Sequence, residues 1–244
     1  MQADGLVIIP TYNEIENIEA IVSEVLQLKK NFHILIVDDN SPDGTAEKVK
    51  EMQQEFPDRL FIEERKEKSG LGTAYIHGFK WAIQKGYNYI FEMDADFSHN
   101  PRDLVRLYNA CALHGADVAI GSRYVKGVNV VNWPMQRILL SYGASFYVKF
   151  ITGMRIHDPT AGFMCYKREV IERIALDNIR FVGYAFQIEM KFRAFLKKFN
   201  IVEVPIIFKD REKGSSKMNG KIINEAVFGV LSMKLRSLFK KDGF

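Results

Sequence analysis

Short apolar runs alternate with helix-period stretches through the first half of the chain. Residues 5–10 (GLVIIP) and 32–37 (FHILIV) are continuous apolar runs of strand length, and 89–91 (YIF) leads a third. Such runs, each closed by turn residues, predict strands buried on both faces. Between the first two, Ile15, Ile18, Ile21, Val22, Val25 and Leu26 recur at helical spacing. Asn13 precedes them, with Glu16 three residues on as its capping-box partner. The same reading gives helices over 46–56 and 101–114, strands over 60–63 and 117–121, and a glycine-bearing loop, 68–73, opening a helix through Gln84. Strand–helix alternation of this kind predicts an α/β fold, a mostly parallel sheet with helices on both faces.

After Gly127 the pattern changes. Residues 135–151 are rich in apolar and aromatic side chains but carry Arg137 and Lys149, which predicts a helix too short and too charged to span a bilayer. Helices are predicted over 167–176 and 185–199, and a late strand over 201–208. Residues 210–220 (DREKGSSKMNG) form a polar, basic, glycine-punctuated loop. Beyond it, Ile223, Val227, Val230, Leu231, Leu235 and Leu238 sit at helical spacing over 222–239. That amphipathic helix fits packing on its own domain, and it fits lying on a membrane surface.

Composition narrows the picture. A chain of 244 residues accommodates one large α/β domain with at most a short appendage. The net charge of +4 is small, and the basic residues are scattered without interleaved aromatics, which argues against nucleic-acid binding. Cys111 and Cys165 make neither a disulfide framework nor a metal spacing and point to free thiols in a reducing compartment. The N-terminus lacks the basic start and apolar length of a signal peptide. A cytoplasmic protein is expected.

The candidate chemistry gathers where strands end. The run at 89–91 leads to Asp94 and Asp96, one residue apart, and then to the turn Ser98-His99-Asn100-Pro101. Two carboxylates without a histidine or cysteine cluster make an oxygen-only site suited to Mg²⁺ or Mn²⁺ on a substrate's phosphates. An Asx-type turn with two solvated acids accounts for the same residues. The other strands end in Pro10-Thr11-Tyr12-Asn13-Glu14 and Val37-Asp38-Asp39. Gathered on the carboxyl edge of one sheet, the three endings predict a nucleotide pocket. Gly70-Leu71-Gly72 lacks the third glycine of a dinucleotide fingerprint, and no P-loop is present. Its glycines are expected to let the backbone turn or approach a ligand. Arg123, Arg137, Arg211 and Lys217 lie in loop-like contexts, and the last two flank glycine and serines that let a loop fold over an anion. The five histidines show no zinc spacing, and His99 reads as a turn residue near the acids.

Several segments resemble a known family. PTYNE (10–14), VDDNSPDGT (37–45), GLGTAYIHG (70–78), DADFSH (94–99) and GSRY (121–124) resemble family 2 glycosyltransferases of the Rossmann-like GT-A fold. WPMQR (133–137), DPTAGF (158–163), GYAFQIEM (183–190) and DREKGSSK (210–217) narrow the likeness to the dolichol- or polyprenol-phosphate mannose synthases. The resemblance implies that Pro10, Tyr12, Glu14, Val37 and Asp39 contact a guanine nucleotide, with Asp94 and Ala95 against it. It makes Asp96 the metal ligand. Ser98 stands where the family often has glutamine as a second ligand. Arg211 and Lys217 would hold the donor's diphosphate, and Arg123 with Arg137 the acceptor's phosphate.

The implied reaction is inverting transfer of mannose from GDP-mannose to a polyprenyl or dolichyl monophosphate, on a single GT-A domain over 1–218 with a C-terminal helix over 219–244. UDP-glucose as donor, and a non-catalytic nucleotide- or lipid-binding module, are the rival readings. The 135–151 segment corresponds to helices at the membrane interface in the family. Many relatives continue into transmembrane helices, whereas this sequence stops at Phe244. The expectation is therefore a soluble-domain type, peripheral on the cytoplasmic face of a membrane, with the 222–239 helix touching lipid.

Overall fold

The computed structural model describes residues 3–183, 185–210 and 220–239. Its first half follows the predicted alternation. Strands β1 (Gly5–Thr11), β2 (Phe32–Asp38), β3 (Leu60–Glu64) and β4 (Tyr89–Glu92) are separated by helices α1 (Ile18–Leu26), α2 (Thr45–Glu55) and α3 (Leu71–Lys85). Helix α4 (Asp103–Ala112) and strand β5 (Val118–Ser122) continue it. Then come β6 (Val130–Val131), α5 (Met135–Thr152), β7 (Met164–Lys167), α6 (Arg168–Arg173), α7 (Ala185–Leu196), β8 (Ile201–Pro205), β9 (Phe208–Lys209) and α8 (Gly220–Phe239).

The main sheet has the order β3-β2-β1-β4-β7-β5-β8. Every ladder in it is parallel except the two made by β7, which runs antiparallel to β4 and to β5. Alternate residues of β1 serve opposite faces. Leu6 and Ile8 pack with α3, α6 and α7, while Val7 and Ile9 pack with α1, α2 and α4. Both faces being buried explains why the strands read as unbroken apolar runs. Gly78 lets α3 lie close on the sheet, since a Cβ there would sit 2.7 Å from Cγ2 of Ile8.

Four expectations are corrected. Strand β7 was not predicted; its four residues, MCYK, are too few to show a period, and its partners lie far away in sequence. The helix expected over 167–176 shortens to α6 because Lys167 still belongs to β7, and a 3₁₀ turn follows at Leu176–Asn178. The strand expected over 201–208 divides. Pro205 closes the ladder with β5, and Phe208 pairs instead with Val130 in a separate two-stranded sheet with β6. The capping box at Asn13 and Glu16 does not form. Helix α1 starts at Ile18, and Asn13 takes a positive φ of 59° in a turn whose amides are claimed by another loop.

Helix α8 lies on α5 and α7. Val230 and Met233 enter the core, the Tyr147 hydroxyl donates to the Val227 carbonyl at 2.8 Å, and Lys234 Nζ reaches the Thr152 carbonyl at 3.2 Å. The outer faces of both helices are apolar and exposed, with Leu139, Leu140, Phe146 and Phe150 on α5 and Phe228, Leu235, Leu238 and Phe239 on α8. Among the described residues, no helix is long and apolar enough to cross a membrane.

Candidate active site

The loops after β1 and β2 staple each other. The amides of Asn13, Glu14 and Ile15 donate to Ser41 Oγ, Thr45 Oγ1 and Asp43 Oδ2 at 3.0, 3.0 and 3.1 Å. Asp38 is fully buried and spent on structure, accepting from Thr11 Oγ1 at 2.7 Å and from the Ser41 amide at 2.8 Å. Asp39, the next residue, reaches the cavity and pairs with Arg65 Nε at 2.6 Å. Burial pushes its carboxyl above the ordinary range, and Arg65 only partly offsets that. The Tyr12 ring is capped by Lys68, whose ammonium lies 4.0 Å from its centroid.

Past β4 the chain turns sharply. Phe97 takes a φ of 60°, and the Ser98 amide donates to Asp96 Oδ1 at 3.1 Å. His99 sits in this turn and is buried. It stacks on Phe163 with centroids 4.8 Å apart, and its Nδ1 accepts from the Asp94 amide at 3.3 Å, so the proton of the neutral ring sits on Nε2. Burial drives its pKa down to about 4. The ring therefore adds no charge to the two aspartates at neutral pH.

These donors fit a hard divalent cation. Asp94 and Asp96 supply carboxylate oxygens, and the buried Ser98 Oγ beside them has no hydrogen-bond partner. Among the described residues no group of three or more His, Cys, Asp or Glu could close a coordination shell alone. A cation here would complete its shell with phosphate oxygens and water, as Mg²⁺ habitually does.

The opposite wall is basic and aromatic. Arg123 makes a buried bidentate pair with Asp158, at 2.7 Å from Nε and 2.6 Å from Nη2, and its amide adds a third bond at 3.0 Å. Burial alone would raise the Asp158 pKa, yet the charge and hydrogen bonds of Arg123 hold it below the ordinary value. Arg137 rests its guanidinium 4.1 Å from the Trp133 ring centroid and pairs with Asp210 at 2.8 Å. Trp133 in turn meets Phe208 edge-on.

Beneath the aspartates, Glu92 at the end of β4 is fully buried and accepts from Gln187 Nε2. Burial raises Glu92 to about 7 and lowers its neighbour Lys191 to about 8. Lys191 Nζ donates to the Gln187 carbonyl at 3.1 Å and also to the Ala161 carbonyl. Helix α7 thus holds the 158–163 loop in place.

One cavity of about 510 Å³ collects Pro10, Tyr12, Glu14, Asp39, Asp94, Ala95, Asp96, Ser98, Arg123 and Arg137. Val37 stands apart from it, its side chain wholly inside the core. Arg211 and Lys217 lie outside the described residues. The cavity also contains Lys68, Trp133, Thr160, Gly162, Gly183, Gln187 and Phe208, which were not singled out. Gln187 carried a readable signal, a lone polar residue within the apolar stretch Ala185-Phe186-Gln187-Ile188. Gly72 is explained by packing rather than ligand approach, for a Cβ there would sit 2.8 Å from the Phe186 ring. Gly70 serves the turn with a φ of 100°.

The family model described as glycosyl transferase family 2 matches residues 6–175. The chain is 50% identical over 231 residues to a polyprenol monophosphomannose synthase of Mycolicibacterium smegmatis, covering 95% of this chain and 87% of that protein. It is 44% identical over 225 residues to an undecaprenyl-phosphate mannosyltransferase of Micrococcus luteus, covering 92% and 91%. A solved structure of the mannosyltransferase PcManGT from Pyrobaculum calidifontis, in complex with GDP-Man and Mn²⁺, shares the fold. Its TM-score is 0.58 at 17% identity, covering 98% of this chain and 75% of that one.

Proposed function

The chain belongs to glycosyl transferase family 2, and we propose that it moves mannose from GDP-mannose onto a polyprenyl or dolichyl monophosphate. One observation carries the reading. A single cavity sets the Asp94–Asp96 carboxylate pair between the stapled β1–β2 loops and the Arg123–Arg137 wall. Two anionic substrates would therefore meet over a cation site. The names of the two curated relatives, both of them lipid-phosphate mannosyltransferases, support the same chemistry.

Pro10, Tyr12, Glu14 and Asp39 receive the guanine nucleoside, with Asp94 and Ala95 beside it. Asp96 and Ser98 would hold Mg²⁺ or Mn²⁺, which would supply positive charge against the leaving diphosphate. Arg211 and Lys217 are proposed to join it there. Arg137, braced on Trp133, meets the acceptor's phosphate, and Arg123 stands behind it, fixed by Asp158. A phosphate monoester has a second pKa of about 6 and reaches the site already deprotonated. No general base is then required, and the protein's task is alignment and electrostatic stabilisation in one inverting displacement.

The acceptor's lipid tail needs a surface. The exposed apolar faces of α5 and α8, with the exposed Lys149 on α5, suit peripheral binding to a membrane. We assign that membrane's cytoplasmic side, where the nucleotide sugar would be supplied.

The test is transfer of labelled mannose into polyprenyl phosphate by the purified protein. Transfer that stops with EDTA and returns with Mg²⁺ or Mn²⁺ is expected. Transfer of glucose from UDP-glucose in its place, or no transfer with either donor, would sink the proposal.

A further inference from the structure

Gln187 is a polar residue of the cavity whose chemistry the reaction has not yet used. It is 5% exposed, projects from the first turn of α7, and forms part of the cavity wall beside Thr160 and Gly162. Gly162 lies against the amide, where a Cβ would make ordinary van der Waals contact with Nε2 at 3.8 Å.

The amide is oriented from behind. Nε2 donates to Glu92 Oε2, which leaves Oε1 as the acceptor of the amide. That oxygen has no hydrogen-bond partner. The backbone of Gln187 is held too, its carbonyl accepting from the buried Lys191. An oriented, water-shielded acceptor without a donor carries a desolvation cost that a ligand hydroxyl can remove.

We infer that Gln187 Oε1 accepts a hydrogen bond from one hydroxyl of the donor's sugar ring and so helps set which sugar is transferred. This deepens the functional reading above and rests on it. A carbonyl oxygen repels phosphate oxygens, which are acceptors themselves, so the diphosphate is not its partner. The nucleoside is assigned to the β1 and β2 loops, across the carboxylate pair. Glu92, which anchors the amide, precedes Asp94 by two residues on the same strand exit. The floor under the aspartates is thus where a sugar attached to a metal-bound diphosphate would lie. The side chains supplying this floor are far apart in sequence, Gln187 and Glu92 by 95 residues.

The experiment measures affinities of the wild type and Gln187→Ala for GDP, GDP-mannose and the four singly deoxygenated GDP-mannoses, by calorimetry with Mn²⁺. The variant should bind GDP within about twofold of wild type and GDP-mannose about tenfold more weakly. One deoxy donor should lose about tenfold against wild type, and the variant should no longer distinguish that donor from GDP-mannose. The deoxy series on wild type stands even if the variant folds poorly. A purely structural Gln187 would weaken GDP and GDP-mannose alike, and that result overturns the inference. A wild type that binds GDP-mannose yet is indifferent to every deoxy position overturns this inference alone. A wild type that binds neither GDP nor GDP-mannose overturns the functional reading with it.

Discussion

On the β1–β2–β3 side of the sheet Asp39 meets Arg65, and on the β7–β5–β8 side Asp158 meets Arg123, both next to the same cavity. Burial penalises both carboxylates, but the outcomes are opposite. Asp158 gathers three bonds from Arg123 and one from the Thr160 hydroxyl at 3.2 Å, and its pKa ends below the usual value. Asp39 has Arg65 as its chief support and the buried Asp38 beside it, and its pKa ends above. Folding rewards the first charge and penalises the second. A carboxylate held at a net cost beside a cavity is one that a ligand can relieve, whereas a locked pair is scaffold.

The largest expected effect lies between these two sides. Asp96→Ala should reduce metal-dependent transfer about 10²-fold or more, with the melting temperature near wild type. A comparable loss of melting temperature would make Asp96 scaffold as well. The next tests the locked side. Asp158→Asn leaves the Arg123 guanidinium buried without its counter-charge and should cost about 3–5 kcal/mol in denaturant unfolding. The pH dependence follows from the lowered pKa. The contribution of Asp158 is complete above its unfolded value, about 4, and is lost as the pH falls through the folded one. Wild type and variant should therefore converge in stability under acid. Convergence on the alkaline side would contradict the assignment.

The two sides also differ in how far the sequence revealed them. Strands β1, β2 and β4 are buried on both faces, so their apolar runs and terminal acids could be read locally. Strand β7 is held by neighbours on either side and has no pattern of its own. The locked side is built from partners that local reading cannot join, with Asp158 lying 35 residues from Arg123. Arg123 and Arg137 were legible as basic residues in loop contexts, but the aromatic brace under Arg137 arises only when Trp133 meets Phe208. Asn13 fails as a cap for a similar reason. Its loop's amides are satisfied by Ser41, Thr45 and Asp43, roughly a helix and a strand away in sequence. Val37 shows a limit of motif membership, since its side chain packs in the core and does not line the cavity.

Smaller effects sharpen the nucleotide side. Gly78→Ala pushes a methyl to within 2.7 Å of Ile8, and overpacking of this kind costs about 1–3 kcal/mol. Helix α3 would have to shift off β1, and the wall bearing Leu71 and Ala74 would move with it. Chemical denaturation and GDP affinity should both record the change. An unaltered midpoint would mean that the α3–β1 contact is slack.

Asp39→Asn is the mildest in stability and the most direct test of the contrast. The variant keeps the side chain's shape and loses the charge that Arg65 partly compensates. Because the folded pKa is raised, this group stabilises the fold most when protonated, at and below its unfolded value of about 4. That contribution falls away as the pH rises through the folded value. Asparagine removes the slope, so the stability difference should shift in the variant's favour from pH 4 upward and stay within about 0.5 kcal/mol at neutrality. Donor affinity should move the other way, weakening about tenfold if Asp39 accepts hydrogen bonds from the nucleoside. Stability near wild type together with weakened GDP binding would establish that the two carboxylates serve different ends. A stability loss matching that of Asp158→Asn would erase the distinction, and the β1–β2 loops would then have to count as scaffold too.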